Sequence, residues 1–194
     1  MDIDIFIAQS NRAKTLDTLV RIFRQALNAY GYSKYICFTP EGPQPDSELQ
    51  IDGKAHYHQD LIRQYDKSLL FRMDPIYLLL LSVRMPFTWD QVWRLPLSPQ
   101  QKVSMQLRQD NGLIKGMSIP IRSNDHSLIG ISLASEQLGP RTDANAVSEL
   151  YALAMQFCLR RSELRQDILL TLKPQNDYTT PEAQFRPATL QLAQ

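Results

Sequence analysis

Charge imbalance, histidine, cysteine and long apolar runs are all scarce in this 194-residue chain, and each shortage removes a class of function. Lys and Arg number 21 against 20 Asp and Glu, a formal net charge of +1. That is too little for the basic stripe with which a dedicated duplex-binding protein meets the phosphate backbone. The densest basic cluster, Arg160, Arg161 and Arg165, is interrupted by Glu163 and Asp167. The longest strongly apolar run, Ile76 to Leu81, is far short of the ~20 residues a membrane span needs. Asp2 and Asp4 stand where a secretory signal carries its basic region, so no signal peptide is expected. Cys37 and Cys158 have no motif spacing, which fits a reducing compartment, the cytoplasm, with each thiol a small buried hydrophobe. No nucleophile elbow and no phosphate-cradling glycine loop is present.

What is present is the composition of an ordinary globular protein, 43% hydrophobic and 21% charged, in a length that suits one domain and not two. Apolar residues at Leu16, Leu19, Val20, Phe23, Leu27 and Tyr30 fall at the three-or-four spacing of one helix face between Asn11 and Tyr30, with Gly31 as the stop. Tyr32 to Thr39 is β-prone, Glu48 to Ile51 predicts a second strand, and Asp52-Gly53 marks a turn. Tyr57, Leu61, Tyr65 and Leu69 recur every four residues and predict a helix over 57–70. Asp74 before Pro75, and Ser98 before Pro99, are cap-and-first-turn pairs that open helices, the second closed by Asn111-Gly112.

Met117 to Ile121 and Ser127 to Ala134 read as a hairpin, and a long helix follows Thr142 as far as Leu172. That helix carries Val147, Leu150, Tyr151, Ala154, Phe157 and Cys158 on one side. Its further apolar positions, including Phe157, Leu164 and Leu169, predict a self-association surface. From Pro174 the composition turns to Pro, Gln, Thr and Ala, so residues 1–173 are expected to form one domain and 174–194 a mobile tail. Strands gathered between helices predict an α/β/α sandwich, a central antiparallel sheet flanked by helices on both faces.

In the hairpin, Met117, Ile119, Ile121, Ile129, Ile131 and Leu133 alternate with Gly116, Ser118, Pro120, Leu128, Gly130, Ser132 and Ala134. One face is bulky and the other small. The small face suits either solvent or a ligand cavity. Its lack of charge, and two glycines that weaken a strand without evident packing benefit, favour the cavity.

Tyr57, Tyr65, Asp74-Pro75 and Trp89, followed by Gly112, Gly116, Pro120 and the run Leu133 to Glu136, form a pattern that resembles the signal-binding domain of LuxR-type quorum-sensing regulators. The resemblance implies the same sandwich and an acyl-homoserine lactone or related acylated ligand. It implies that Asp74 accepts from the ligand amide and Tyr57 donates to the acyl carbonyl. Tyr65 and Trp89 would wall the head group, and Ser118 and Ser132 would offer hydroxyls to the amide. No cofactor, metal or catalytic residue is implied. Read alone, Asp74 is a helix cap and each aromatic is core. The departure is Leu61, which stands where the family carries a lactone-sensing Trp. The chain also shows no helix-turn-helix module after the sensor.

A truncated regulator is therefore expected, forming a homodimer or heterodimers with full-length LuxR-type regulators and inhibiting them without binding DNA or membrane. A stand-alone binder of an acylated signal other than a standard homoserine lactone is the alternative. A third reading takes His56, His58 and Asp60, an H-x-H-x-D string that resembles the first ligand cluster of metallo-β-lactamase-type lactonases. It lacks the further ligands such a site needs, since only His126 remains.

Overall fold

The computed structural model describes residues 2–40, 49–52, 61, 63–64, 70–122 and 128–172. Among them, strands β1 (Lys34–Pro40), β2 (Leu49–Asp52), β3 (Phe87–Thr88), β4 (Lys115–Arg122) and β5 (Leu128–Ser135) form one antiparallel sheet in the order β2-β1-β5-β4-β3. Helices α1 (Ile3–Arg12), α2 (Leu16–Asn28) and α6 (Ala144–Leu172) build one outer layer. Helices α3 (Pro75–Ser82), α4 (Trp89–Trp93) and α5 (Pro99–Asp110) build the other. The protein is the α/β/α sandwich that the sequence predicts.

Local chemistry sets most of these boundaries. Thr15 caps α2, its Oγ1 accepting from Thr18 N–H at 3.2 Å. Gly31 ends that helix at φ +84°, a conformation open to glycine at little cost, while Tyr32 N–H returns to the Leu27 carbonyl at 3.2 Å. Thr88 and Gln91 form a reciprocal capping box at the start of α4, as do Ser98 and Gln101 at α5. Gly112, at φ +76°, closes α5. Four of the described elements are additions to the sequence reading: α1, capped by Asp2, a single 3-10 turn over Leu70–Met73, and the short pair β3 and α4. The helix expected from Asn11 starts instead at Leu16.

The hairpin register settles the two-faced pattern. Met117 lies opposite Leu133 and Ile119 opposite Ile131, whereas Ser118 lies opposite Ser132 and Pro120 opposite Gly130. The bulky face packs on α1, α2 and α6, where Phe23 stacks on Phe157 at 4.1 Å between ring centroids and Tyr35 meets both rings edge-on. Phe157 and Leu164 are buried in this core, which corrects the expectation that they form a self-association surface: the apolar face of α6 is wide because two helices and the sheet cover it. Cys37 and Cys158 are both buried, and burial pushes the Cys158 thiol up to about 11.

The small face is also covered, so exposure to solvent is ruled out for it: Gly116, Ser118, Pro120, Gly130, Ser132 and Ala134 are all buried. Its glycines do have a packing role, contrary to the sequence reading. A Cβ added at Gly116 would lie 2.2 Å from the Trp89 ring, and one at Gly130 would lie 2.2 Å from the Phe38 ring. Each glycine is the seat of an aromatic ring. The expected turn at 123–126, the Asp52-Gly53 turn beyond Asp52, most of the helix over 57–70 and the tail 174–194 lie outside the described residues. Among the described residues no helix is long and apolar enough to cross a membrane.

Gly116→Ala and Gly130→Ala should each lower stability by about 1–3 kcal/mol, since the methyl must displace a ring in a closed core. Gly139→Ala, where nothing lies within 4 Å of the added carbon, should change it by less than about 0.5 kcal/mol. Urea midpoints of the three variants provide the check, and equal effects at all three positions would refute the packing role.

Candidate ligand-binding site

Between the small face and the second helical layer lies a cluster that joins apolar packing to an unusual set of buried polar groups. Leu61, 3% exposed, packs with Phe38, Ile76, Tyr77, Leu80, Phe87, Trp89, Val92, Met105, Leu113 and Ala134. At its centre the Trp89 indole Nε1 donates to Ser118 Oγ at 3.1 Å, and the Ser118 and Ser132 hydroxyls share a hydrogen bond of 2.9 Å. Position on the pleat explains the pair: the two serines are direct cross-strand partners on the small face. Trp89 is aimed at them by the capped first turn of α4, which Lys115 of β4 anchors through Asp90 at 2.7 Å.

Asp74 combines the two roles that its position before Pro75 allows. Its Oδ1 caps α3, accepting from Ile76 N–H at 2.9 Å. Its Oδ2 accepts from the Arg108 guanidinium on α5. The side chains are 3% and 8% exposed, so this is a buried ion pair. Arg108 is held from other sides as well. Nη1 donates to the Ser104 carbonyl at 3.1 Å and lies 3.4 Å from Ser104 Oγ, and the guanidinium carbon sits 5.4 Å from the Trp89 ring centroid, within cation–π range.

Of the site residues expected from sequence, Leu61, Asp74, Trp89, Ser118 and Ser132 thus converge on one buried region. Tyr57 and Tyr65 lie outside the described residues, as do His56, His58, Asp60 and His126 of the metal reading. Arg108 was not anticipated. The one hint in the sequence is an arginine spaced three and four residues after Met105 and Ser104, on the inward stripe of α5, and arginines at such spacing are common on solvated faces.

The arrangement joins apolar side chains to a few buried polar atoms, a mixture of the kind that lines small-molecule sites. Residues 15–160, well over half of the chain, match the family described as the autoinducer binding domain. The chain belongs to that family. Solved structures agree on the fold. The N-acylhomoserine lactone dependent LuxR family transcription factor CepR2 from Burkholderia cenocepacia aligns with a TM-score of 0.62 at 18% identity, over 87% of this chain and 96% of that one. Escherichia coli SdiA aligns with a TM-score of 0.69 at 12% identity, over 95% of this chain and 72% of that one. SdiA in complex with octanoyl-rac-glycerol also gives 0.69, at 11% identity, over 84% of this chain and 66% of that one. A search of curated proteins finds no match. The autoinducer-binding assignment supports a signal-binding role for this domain.

Because a buried charge left alone costs far more than a paired one, Asp74→Asn and Arg108→Met should each destabilise the protein by about 3–5 kcal/mol. The double variant, with neither charge, should lose less than the two losses summed. Chemical denaturation of all four proteins measures this coupling, and strictly additive losses would show that the pair contributes nothing as a pair.

Proposed function

We propose that this autoinducer-binding domain encloses an acylated small-molecule signal between the small face of its sheet and helices α3, α4 and α5, and that the signal's head group is not a homoserine lactone. The observation that carries the reading is the convergence of Leu61, Asp74, Trp89, Ser118 and Ser132 on one buried face in a chain of this family. Tyr57 and Tyr65 complete the ligand-binding set in this proposal. Catalysis has no part in it, and the protein works in the cytoplasm.

Leu61 supports the choice of head group. It is buried among apolar side chains and has no donor, so a lactone carbonyl brought there would lose a hydrogen bond, a cost of about 1–3 kcal/mol or one to two decades of affinity. The complex of SdiA with octanoyl-rac-glycerol offers a precedent of the right chemical kind: an acyl ester with hydroxyls and no lactone ring. Thermal shifts should therefore be larger with octanoylglycerol than with octanoyl-homoserine lactone. Leu61→Trp should move the preference toward the lactone, while overpacking lowers intrinsic stability by about 1–3 kcal/mol. Native mass spectrometry of the purified protein would identify the molecule retained. A wild type stabilised more by lactones than by acylglycerols would overturn the head-group assignment.

The second part of the proposal concerns partners. The domain pairs with itself or with full-length LuxR-type regulators, and in the mixed pair it acts as an antiactivator, lowering operator occupancy without touching DNA. Ile5 and Leu159, 51% and 59% exposed on the outer layer formed by α1, α2 and α6, support a contact surface there, and a net charge of +1 supports the absence of direct DNA binding. This 194-residue chain should sediment as a dimer at micromolar concentration and co-purify with a co-expressed full-length regulator. A monomer that captures no regulator, or a gel shift by this protein alone, would count decisively against the pairing model.

A further inference from the structure

The two ends of the sheet's small face differ in chemistry. At one end Trp89 rests on Gly116, and polar groups gather round it: Ser118 and Ser132 at the indole Nε1, and Arg108, paired with Asp74, over the ring. At the other end Phe38 of β1 rests on Gly130, its cross-strand partner on β5. The Phe38 ring meets Tyr77 at 5.7 Å between centroids, and Tyr77 meets Phe71 at 5.8 Å, both edge-on. We propose that Phe38 is a specificity-determining residue: its ring, seated on Gly130, is a stop that limits how far the signal's acyl chain extends along the sheet. The inference rests on the acylated-signal reading above and deepens it.

Strand geometry sets the length. Gly130 follows Ser132 on the same face of β5, two residues or about 7 Å along the strand. A ligand whose polar head lies at the serine pair directs its chain away from the Trp89 end, because methylenes laid against hydroxyls and ions desolvate them without pairing them. Toward Pro120 and Gly130, which oppose each other in the register, the face offers no polar side chain, and the chain gains apolar cover until it reaches the ring. The space above Gly130 is already filled there, since a single added Cβ would overlap Phe38. A ligand methylene stands farther from the backbone than a Cβ and meets the ring itself. Phe38 is 8% exposed and is braced by the buried Tyr77 of α3, so moving it aside forfeits packing in a closed core. A chain that ends before the ring keeps the gain of about fourfold in affinity that each buried methylene brings. A longer one must displace Phe38 or turn back toward solvent.

The test uses hexanoyl and decanoyl chains, each presented as a glycerol ester and as a homoserine lactone, so that the readout is chain length and not head group. They are titrated calorimetrically into wild type, Phe38→Ala, Phe38→Leu and Phe6→Leu, the last a change in the core on the opposite side of the sheet. In an open channel the added methylenes would raise affinity by about a hundredfold or more. In the wild type the decanoyl compound should instead bind within about tenfold of its hexanoyl counterpart. Phe38→Ala should raise the decanoyl-to-hexanoyl affinity ratio by about tenfold or more, and Phe38→Leu by a smaller factor. A purely structural loss would weaken both lengths alike and leave the ratio where it was. Phe38→Leu keeps an apolar side chain in the core and carries the test if Phe38→Ala does not fold. A wild type that already prefers decanoyl chains by more than about tenfold, a ratio unchanged in the folded Phe38 variants, or an equal rise in Phe6→Leu would each overturn the proposal while the acylated-signal reading stands. If no ligand of either length binds any of the folded proteins, the proposal and the reading on which it rests fail together.

Discussion

The buried pair of Asp74 and Arg108 is the constraint on which the second half of the sandwich depends. Two charges below one-tenth exposed each lose several kcal/mol of hydration, and only close pairing together with further hydrogen bonds offsets that loss. Here those bonds come from Ile76 N–H and from Ser104, so the ion pair is tolerable only while the first turn of α3 faces the inner stripe of α5. That requirement fixes two helices against each other beside the apolar cluster that Ile76, Tyr77, Leu80 and Met105 share. It also places a cation over the Trp89 ring, whose far edge is tied to Ser118 and whose face closes on Gly116. One ionic contact thereby reaches the sheet through a single aromatic side chain.

The two sides of the sheet are held by different physics. Against α1, α2 and α6 the contacts are large, dry and interlocked, with Phe6, Phe23, Tyr35 and Phe157 in mutual ring contact. Dispersion and burial dominate there, and neither needs a particular partner so long as volume is conserved. Against α3, α4 and α5 the sheet presents glycines, serines and a proline, and the gaps are filled by rings, a guanidinium and paired hydroxyls. Polar groups in such a place are costly unless matched, so this side favours one arrangement and penalises its neighbours. A scaffold built on the first principle can carry a recognition surface built on the second.

Family membership and individual character separate on the same face. The autoinducer-binding family supplies the sandwich. Leu61 has no donor at a position where the resembling family has an indole, and Arg108 sets a cation against the Asp74 carboxylate.

What the sequence determined by itself was whatever depends on neighbours a few residues away. Asp74-Pro75, Ser98-Pro99, Asn111-Gly112 and Gly31 mark helix ends because caps and left-handed turns are made within one turn of backbone. The alternation through Met117–Ile121 and Ile129–Leu133 marks a two-faced hairpin because side chains on a strand repeat every second residue. Most of the fold was legible on those terms, and a family pattern pointed to Leu61, Asp74, Trp89, Ser118 and Ser132, which the structure brings to one buried region. Only tertiary structure decided the rest. Arg108 meets Asp74 across 34 positions of sequence, Trp89 rests on Gly116 and Phe38 on Gly130, and Phe157 and Leu164 turn inward where spacing alone left them a surface role. Each of these depends on which distant side chain fills a given volume, and neither period nor propensity carries that information, because an arginine, a glycine or a phenylalanine satisfies the same local pattern whether its partner is water or another part of the chain.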